Sequence, residues 1–176
     1  MSSDRRFNVL FLCTGNSARS ILAESVLRKL GEDRFTAFSA GSHPNGAVNP
    51  VAIDVLTELG FPVDGLRSKS WDEFAVPGAP KMDFVFTVCD QAAGESCPVW
   101  PGQPVTGHWG IEDPSREERP GLWKRAAFVK ALGYMKNRIG AFVALPVEGL
   151  ERSSLSAKIS EIGQMDGASS PRSGAA

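Results

Sequence analysis

The segment from Cys13 to Ser20 combines a thiol, small residues and an arginine in a spacing suited to anion chemistry. Five residues separate Cys13 from Arg19, and the segment lies between an apolar stretch at 8–12 and an amphipathic stretch at 21–31. The backbone N–H groups of such a loop can form an anion-binding nest, and the helix after it would present its positive N-terminus. Arg19 adds a planar fork that can hold two oxygens. The pattern predicts a site for a tetrahedral oxyanion.

The same surroundings predict that Cys13 is a nucleophile. A free thiol has a pKa of about 8.5, which can fall to roughly 3.5–7.5 at a helix N-terminus. The Ser20 hydroxyl can donate a hydrogen bond to the sulfur, and Gly15 permits a backbone conformation that is closed to most residues. We therefore expect a Cys13 thiolate near neutral pH. The loop residues expected to bind the oxyanion are Thr14, Gly15, Asn16, Ser17, Ala18, Arg19 and Ser20.

Apolar runs and amphipathic stretches alternate along the chain. Strands are predicted at 8–12, 35–42, 84–88 and 105–109, and helices at 21–31, 50–60, 120–144 and 153–162. Such alternation favours parallel βαβ units, and hence an α/β fold: a three-layer αβα sandwich with a four-stranded parallel sheet. Ligands of these sheets bind outside the carboxyl ends of the strands.

Three predicted strands end in loops that carry reactive side chains. Cys13 follows the first strand, Cys89 follows the third, and Asp113 lies in an Asp-Pro pair after the fourth. Cys97 comes eight residues after Cys89, in a segment predicted as a loop from 89 to 102. The sequence therefore predicts that at least two thiols and a carboxylate meet at one edge of the sheet.

Composition narrows the function further. The chain of 176 residues suits one domain, and its 19 basic against 20 acidic residues argue against a nucleic-acid partner. No apolar run approaches the about 18 residues of a membrane span. With only three cysteines, two histidines and no CxxC pair, we expect neither a disulfide scaffold nor a bound metal or cofactor. We predict a cytoplasmic protein with a domain at 1–164 and a disordered tail at 165–176.

The loop sequence CTGNSARS, set between NVLFL and ILAE, resembles the catalytic loop of the low-molecular-weight protein tyrosine phosphatase family. Within that family the chain is most similar to the arsenate reductase branch. The resemblance runs from about residue 7 to 164. Further matching segments are SAGS (39–42), NP (49–50), FTVCD (86–90), CPVWPG (97–102) and HWGIEDPS (108–115).

The resemblance implies reduction of arsenate to arsenite by a relay of three thiols. In this relay Cys13 attacks arsenate, Cys89 attacks the Cys13 sulfur, and Cys97 carries the oxidation to the surface. Arg19 binds the oxyanion and Asp113 handles protons. Phosphate would compete weakly with arsenate. Either thioredoxin or glutathione with glutaredoxin would supply the electrons; this loop has one residue more between its last two cysteines than thioredoxin-coupled relatives, which leaves the choice open.

Two other functions are compatible with parts of the sequence. A tyrosine phosphatase would need Cys13, Arg19 and Asp113 but not the other cysteines. In that family an aromatic residue usually follows the Asp-Pro pair, whereas this chain has Ser115 there and its only tyrosine, Tyr134, in a predicted helix. We therefore expect no aromatic wall for a phenol. A metalloid sensor would need an output module, and none is visible.

Four polar residues match positions that in some relatives bind potassium or brace the loop: Asn16, Glu24, Ser39 and Asp72. A strained loop needs side-chain hydrogen bonds to hold it, so we expect Asn16 and Ser39 to brace it. The sequence leaves open whether a potassium ion binds there. Some relatives also have a cysteine in place of Ala18, which the three-thiol relay does not require.

Overall fold

The computed structural model describes residues 5–95, 98 and 100–169. Its centre is one sheet of four parallel strands in the order β2-β1-β3-β4. The strands are β1 (Phe7–Cys13), β2 (Phe35–Gly41), β3 (Phe84–Thr87) and β4 (Val105–His108). The predicted four-stranded parallel sheet flanked by helices is confirmed. Because β1 and β3 are the central neighbours, the loops after them open side by side.

Among the described residues, five α-helices accompany the sheet. They are α1 (Arg19–Leu30), α2 (Pro50–Glu58), α3 (Asp90–Ala93), α4 (Leu122–Val143) and α5 (Arg152–Gly163). Asn49 caps α2 by accepting the Val51 amide at 2.9 Å, as Asn-Pro at a helix start predicts. Helix α3 was not predicted, since it lies in the segment assigned to a loop. In the described part of the chain, no helix is both long and apolar enough to cross a membrane.

The two faces of the sheet are covered differently. Alternate residues of β1 illustrate this: Val9 and Phe11 pack in the large core with α1, α2, α4 and α5, while Leu10 and Leu12 face the other side. That second side is closed by a 3₁₀ turn at Trp71–Phe74 and by Trp100. The third layer of the sandwich is therefore thin on the side opposite the long helices.

The chain beyond α5 returns to the carboxyl edge of the sheet. The buried Arg138 guanidinium donates to the carbonyls of Met165 (2.9 Å) and Asp166 (3.1 Å). Ala168 forms an antiparallel bridge with Ile111. The sequence assigns residues 165–169 to a disordered tail, but these hydrogen bonds fix their backbone in the structure. The rest of that predicted tail, 170–176, lies outside the described residues.

Candidate active site

The loop between β1 and α1 turns its carbonyl groups outwards. The carbonyls of Cys13, Thr14, Gly15 and Ser17 accept hydrogen bonds from backbone amides within the segment 42–49, at 2.9–3.3 Å. In a trans peptide the C=O and N–H groups point in opposite directions, so the amides that follow these carbonyls turn towards the inside of the loop. The Ala18 carbonyl accepts the Leu22 amide of α1 at 2.9 Å. This is the arrangement an anion nest requires.

Asn16 holds the loop from within. It is fully buried, and its Nδ2 donates to Ser20 Oγ at 2.8 Å and to Ser39 Oγ at 3.0 Å. The expected bracing by Asn16 and Ser39 is thus present in the structure. Gly15 was expected to adopt a backbone conformation that is closed to most residues. The left-handed backbone falls instead on Asn16 (φ 45°) and not on Gly15, so this expectation is wrong. The close approach is made at Gly41, where a Cβ atom would overlap the Thr14 carbonyl.

Cys13 lies at the base of the loop and is 3% exposed. Its Sγ is 2.8 Å from Ser20 Oγ and accepts the Asn16 amide at 3.2 Å. Burial raises the pKa of the Cys13 thiol above its ordinary value, and the Ser20 hydrogen bond and Arg19 charge offset this only in part. The expectation of a lowered pKa is therefore wrong, because desolvation outweighs the favourable contacts.

Cys89 lies beside the loop at the end of β3. It is buried, its Sγ accepts the Ala92 amide at the start of α3 (3.3 Å), and the Thr14 hydroxyl lies 3.6 Å from the same sulfur. Electrostatic repulsion from Cys89 is one of the causes that raise the pKa of Cys13. Cys97 falls outside the described residues.

Arg19 and Asp113 meet across the mouth of the loop. Arg19 Nη1 donates to the Ile111 carbonyl at 3.0 Å, and Nη2 lies 3.4 Å from Asp113 Oδ2. Asp113 Oδ1 accepts both the amide (2.9 Å) and the hydroxyl (2.7 Å) of Ser115. A guanidinium has five N–H groups, so Arg19 keeps donors for an anion. Ser115 orients the carboxylate, a role the sequence did not suggest.

A cavity of about 840 Å³ opens beside these groups and is lined by Arg19, Cys89 and Asp113. Trp123 and Tyr134 of α4 form part of its wall, together with the returning segment 167–169. The expectation that the chain lacks an aromatic wall is therefore wrong. The aromatic side chains come from a helix distant in sequence from the Asp-Pro pair, and Trp123 is exposed here instead of joining the core.

A polar network fixes the residue after Cys89. His108 Nε2 lies 2.7 Å from Asp90 Oδ1, and His108 Nδ1 lies 2.7 Å from Thr87 Oγ1. Ser169 of the returning segment also donates to Asp90 Oδ1, at 3.0 Å. The start of α3 is thus tied to β3, β4 and the C-terminal segment, although α3 has only four residues.

The residues of the possible potassium site do not fit a free ion in this chain. Asn16, Glu24 and Ser39 do cluster, because Ser39 Oγ donates to Glu24 Oε1 at 2.5 Å. The ammonium group of Lys69 occupies the space among their oxygens, 2.7 Å from the Ser39 carbonyl and 3.4 Å from Asn16 Oδ1. Asp72 lies apart from this cluster in the 3₁₀ turn, where its amide donates to Ser70 Oγ at 3.1 Å.

Known proteins resemble this chain over most of its length. It is 35% identical over 134 residues to an arsenate reductase of Halalkalibacterium halodurans, covering 76% of this chain and 93% of that protein. It is 34% identical to an arsenate reductase of Bacillus subtilis, with the same coverage. A solved structure of an arsenate reductase in the phosphate-binding state superposes with a TM-score of 0.64 at 29% identity, over 78% of this chain and 97% of the other.

The family model for low molecular weight phosphotyrosine protein phosphatases matches residues 8–145. This range contains the anion loop, Cys89 and Asp113, and ends before α5. The chain belongs to the low molecular weight phosphotyrosine protein phosphatase family.

Proposed function

We propose that this chain is an arsenate reductase that passes electrons through three thiols. The observation that carries the proposal is the position of Cys89: its sulfur is buried beside Thr14 of the anion loop, 3.6 Å from the Thr14 hydroxyl. Hydrolysis of a phosphate ester needs only one thiol, an arginine and an acid. A second buried thiol at the loop suits a reaction in which a sulfur attacks a sulfur. The similarity to proteins named arsenate reductase supports the same conclusion.

In the first step Cys13 binds arsenic. The inward amides and Arg19 hold H₂AsO₄⁻, the Cys13 sulfur attacks arsenic, and one As–O bond breaks. Because burial raises the pKa of Cys13, the thiol still carries a proton when arsenate arrives. That proton passes to the departing oxygen, which leaves as water, so thiol and H₂AsO₄⁻ give S–AsO₃H⁻ and H₂O without an outside acid.

In the second step the arsenic is reduced. The Cys89 thiolate attacks Cys13 Sγ, an S–S bond forms, and the pair of electrons of the S–As bond stays on arsenic. Arsenic goes from the pentavalent to the trivalent state, and arsenite leaves after taking up protons. Asp113 and Cys89 line the same cavity, so the Asp113 carboxylate can take the proton of the attacking thiol directly or through water.

In the third step Cys97 attacks the Cys89 sulfur. A Cys89–Cys97 disulfide forms, and Cys13 leaves as a thiolate that takes up a proton before the next arsenate binds. An external dithiol or glutathione then reduces the new disulfide. We place the reaction in the cytoplasm, where reductants of both kinds keep thiols reduced. Thioredoxin and glutathione with glutaredoxin are the two candidate donors.

Single-turnover chemistry tests the relay without choosing a donor. Reduced protein is mixed with excess arsenate and no reductant, arsenite is counted per chain, and disulfides are mapped by mass spectrometry. We expect one arsenite and a Cys89–Cys97 disulfide from wild type, one arsenite and a Cys13–Cys89 disulfide from Cys97→Ser, and none from Cys89→Ser. Arsenite released by Cys89→Ser in this assay would rule the relay out. Multiple-turnover assays with each donor added separately then identify the reductant.

A phosphatase is the second candidate, and the aromatic wall of the cavity favours it. Trp123 and Tyr134 line the same cavity as Arg19 and Asp113, so an aryl ring can be held beside the anion loop. A phosphatase would hydrolyse an aryl phosphate at full rate in Cys89→Ser and Cys97→Ser. Such activity without arsenite formation by wild type would favour this function over the reductase.

A further inference from the structure

Lys69 places a buried positive charge behind the anion loop. Its side chain is 8% exposed, and its ammonium group donates to the carbonyls of Ser39 and Arg67, each at 2.7 Å. Asn16 Oδ1 lies at 3.4 Å, Ser39 Oγ at 3.5 Å and Glu24 Oε1 at 4.0 Å. Five oxygens therefore surround one monovalent cation, two of them backbone carbonyls of the kind that replace water around K⁺ in selective sites.

Burial of this charge is costly in itself. It lowers the pKa of Lys69, and the nearby Glu24 carboxylate opposes that shift. Glu24 is shared, because Arg28 also binds its other oxygen. Because the nearby carboxylate is shared, the buried charge contributes weakly to stability even with these oxygens around it, which points to a role in the loop that it supports.

Lys69 is connected to the Cys13 sulfur by a short chain of contacts. Its backbone amide donates to Asn16 Oδ1 at 2.9 Å, and its ammonium approaches the same oxygen. With Oδ1 held there, Asn16 Nδ2 points at Ser20 Oγ (2.8 Å), which lies 2.8 Å from Cys13 Sγ. The cation thus fixes which end of the Asn16 amide faces the loop, and Asn16 is the residue with the left-handed backbone.

We propose that the Lys69 ammonium is a built-in monovalent cation that holds the anion loop in its binding form, so that oxyanion binding by this chain is independent of free alkali cations. Lys69 is a positioning residue, since it acts through Asn16 and Ser39. The proposal rests on the proposed function only in that the loop binds a tetrahedral oxyanion. Its test therefore measures binding of inorganic phosphate and not reduction of arsenate. Failure of this proposal can thus be distinguished from failure of the proposed function.

Wild-type protein provides the first measurement. Phosphate affinity is measured by calorimetry in buffers whose only cation is potassium, sodium or tetramethylammonium, at equal ionic strength. We expect the three dissociation constants to agree within about twofold, because the site holds its own cation. Phosphate binding that tightens tenfold in potassium alone would show a free-cation site and overturn the proposal.

Substitution provides the second measurement. Lys69→Ala leaves a space among the five oxygens, while Lys69→Met fills it with an uncharged side chain. In tetramethylammonium buffer we expect both to bind phosphate about tenfold more weakly, the effect of losing charge-assisted hydrogen bonds. Potassium or ammonium should restore binding to Lys69→Ala but not to Lys69→Met. A cavity of about 470 Å³ that Glu24 and Lys69 line gives cations a route from solvent.

The exposed lysine Lys158 on α5 supplies the matched control. Lys158→Met should bind phosphate as wild type does in every buffer. Wild-type affinity in Lys69→Ala without potassium or ammonium would overturn the proposal. The proposal would also be overturned if Lys69→Ala and Lys69→Met lost phosphate affinity equally and neither potassium nor ammonium restored it in Lys69→Ala. That pattern would show that Lys69 acts only through packing. If the Lys69 variants do not fold, the wild-type cation series still decides.

Discussion

The two thiols that the structure describes lie in regions of very different construction. Cys13 begins a loop whose carbonyls are bound from outside and whose interior is held by Asn16, Ser20 and Ser39, all fully buried. Cys89 caps a helix of only four residues, held at its start by the Asp90 network. A helix this short gains little from its own hydrogen bonds, so its stability comes from those few contacts.

This difference in construction suits the different tasks of Cys13 and Cys89 in the proposed thiol relay. An oxyanion is bound best by donors that are already in place, because no energy is then spent on arranging them. A thiol that attacks one sulfur and is then attacked by another must change its partner, which a lightly held segment permits. We therefore expect the anion loop to be the fixed part of the site and the segment from Cys89 to Glu95 to be the part that moves in the proposed relay.

The largest effect is expected from loss of Asn16. Asn16→Ala removes four hydrogen bonds and leaves the Lys69 amide without its acceptor, so we expect a loss of about 3 kcal/mol in the free energy of unfolding. Phosphate affinity should fall on the order of 100-fold. Urea unfolding and calorimetry measure both. Asn16→Gly, which suits the left-handed backbone better, should be slightly more stable than Asn16→Ala. Wild-type stability in either variant would show that the loop is not fixed by Asn16.

The second effect concerns the pH dependence of Cys13. Its raised pKa means that thiolate appears only as pH rises through that pKa, so iodoacetamide labelling should still be increasing above pH 9. Ser20→Ala removes the hydrogen bond that lowers the pKa, and the labelling profile should move about one unit further up, with roughly tenfold slower labelling near neutral pH. Labelling is followed in a Cys89→Ser, Cys97→Ser background, with exposed Thr57→Ala as control. A labelling profile that moves to lower pH in Ser20→Ala would contradict the conclusion that burial raises the pKa of Cys13.

The smallest effect is expected at the lightly held segment. Asp90→Ala removes the acceptor shared by His108 and Ser169, so α3 should open more often and Cys89 should be alkylated about three to five times faster. Phosphate affinity should not change. Alkylation is measured in a Cys13→Ser, Cys97→Ser background, where Cys89 is the only thiol. Unchanged labelling together with weaker phosphate binding would reverse the assignment of the fixed and moving parts.

The sequence predicted those features that local pattern controls. Apolar runs and helix periodicity predicted the strands and the long helices, and Asn49-Pro50 predicted a helix start that the structure confirms. Because parallel strands end at one edge, the order of elements also predicted that Cys89 and Asp113 would share a cavity next to the loop that Cys13 begins. Each of these inferences uses residues close in the chain or the general geometry of a parallel sheet.

Features that depend on distant contacts were missed. Lys69 reaches Asn16 across 53 positions, and nothing in its own neighbourhood marks it as a loop-bracing cation. The position of Trp123 in the cavity wall was missed because helix periodicity does not show which side of α4 faces the cavity. Helix α3 is too short for a periodic signal, and the raised pKa of Cys13 depends on burial that only the packed loop reveals.

The return of residues 165–169 to the cavity also matters for protein engineering. Ser169 lies at the same rim as Cys89 and Asp90, so we expect a purification tag or fluorescent fusion attached downstream to crowd the proposed site. Phe7 starts β1 at the opposite edge of the sheet. Reporter fusions intended to leave turnover undisturbed therefore belong ahead of that strand.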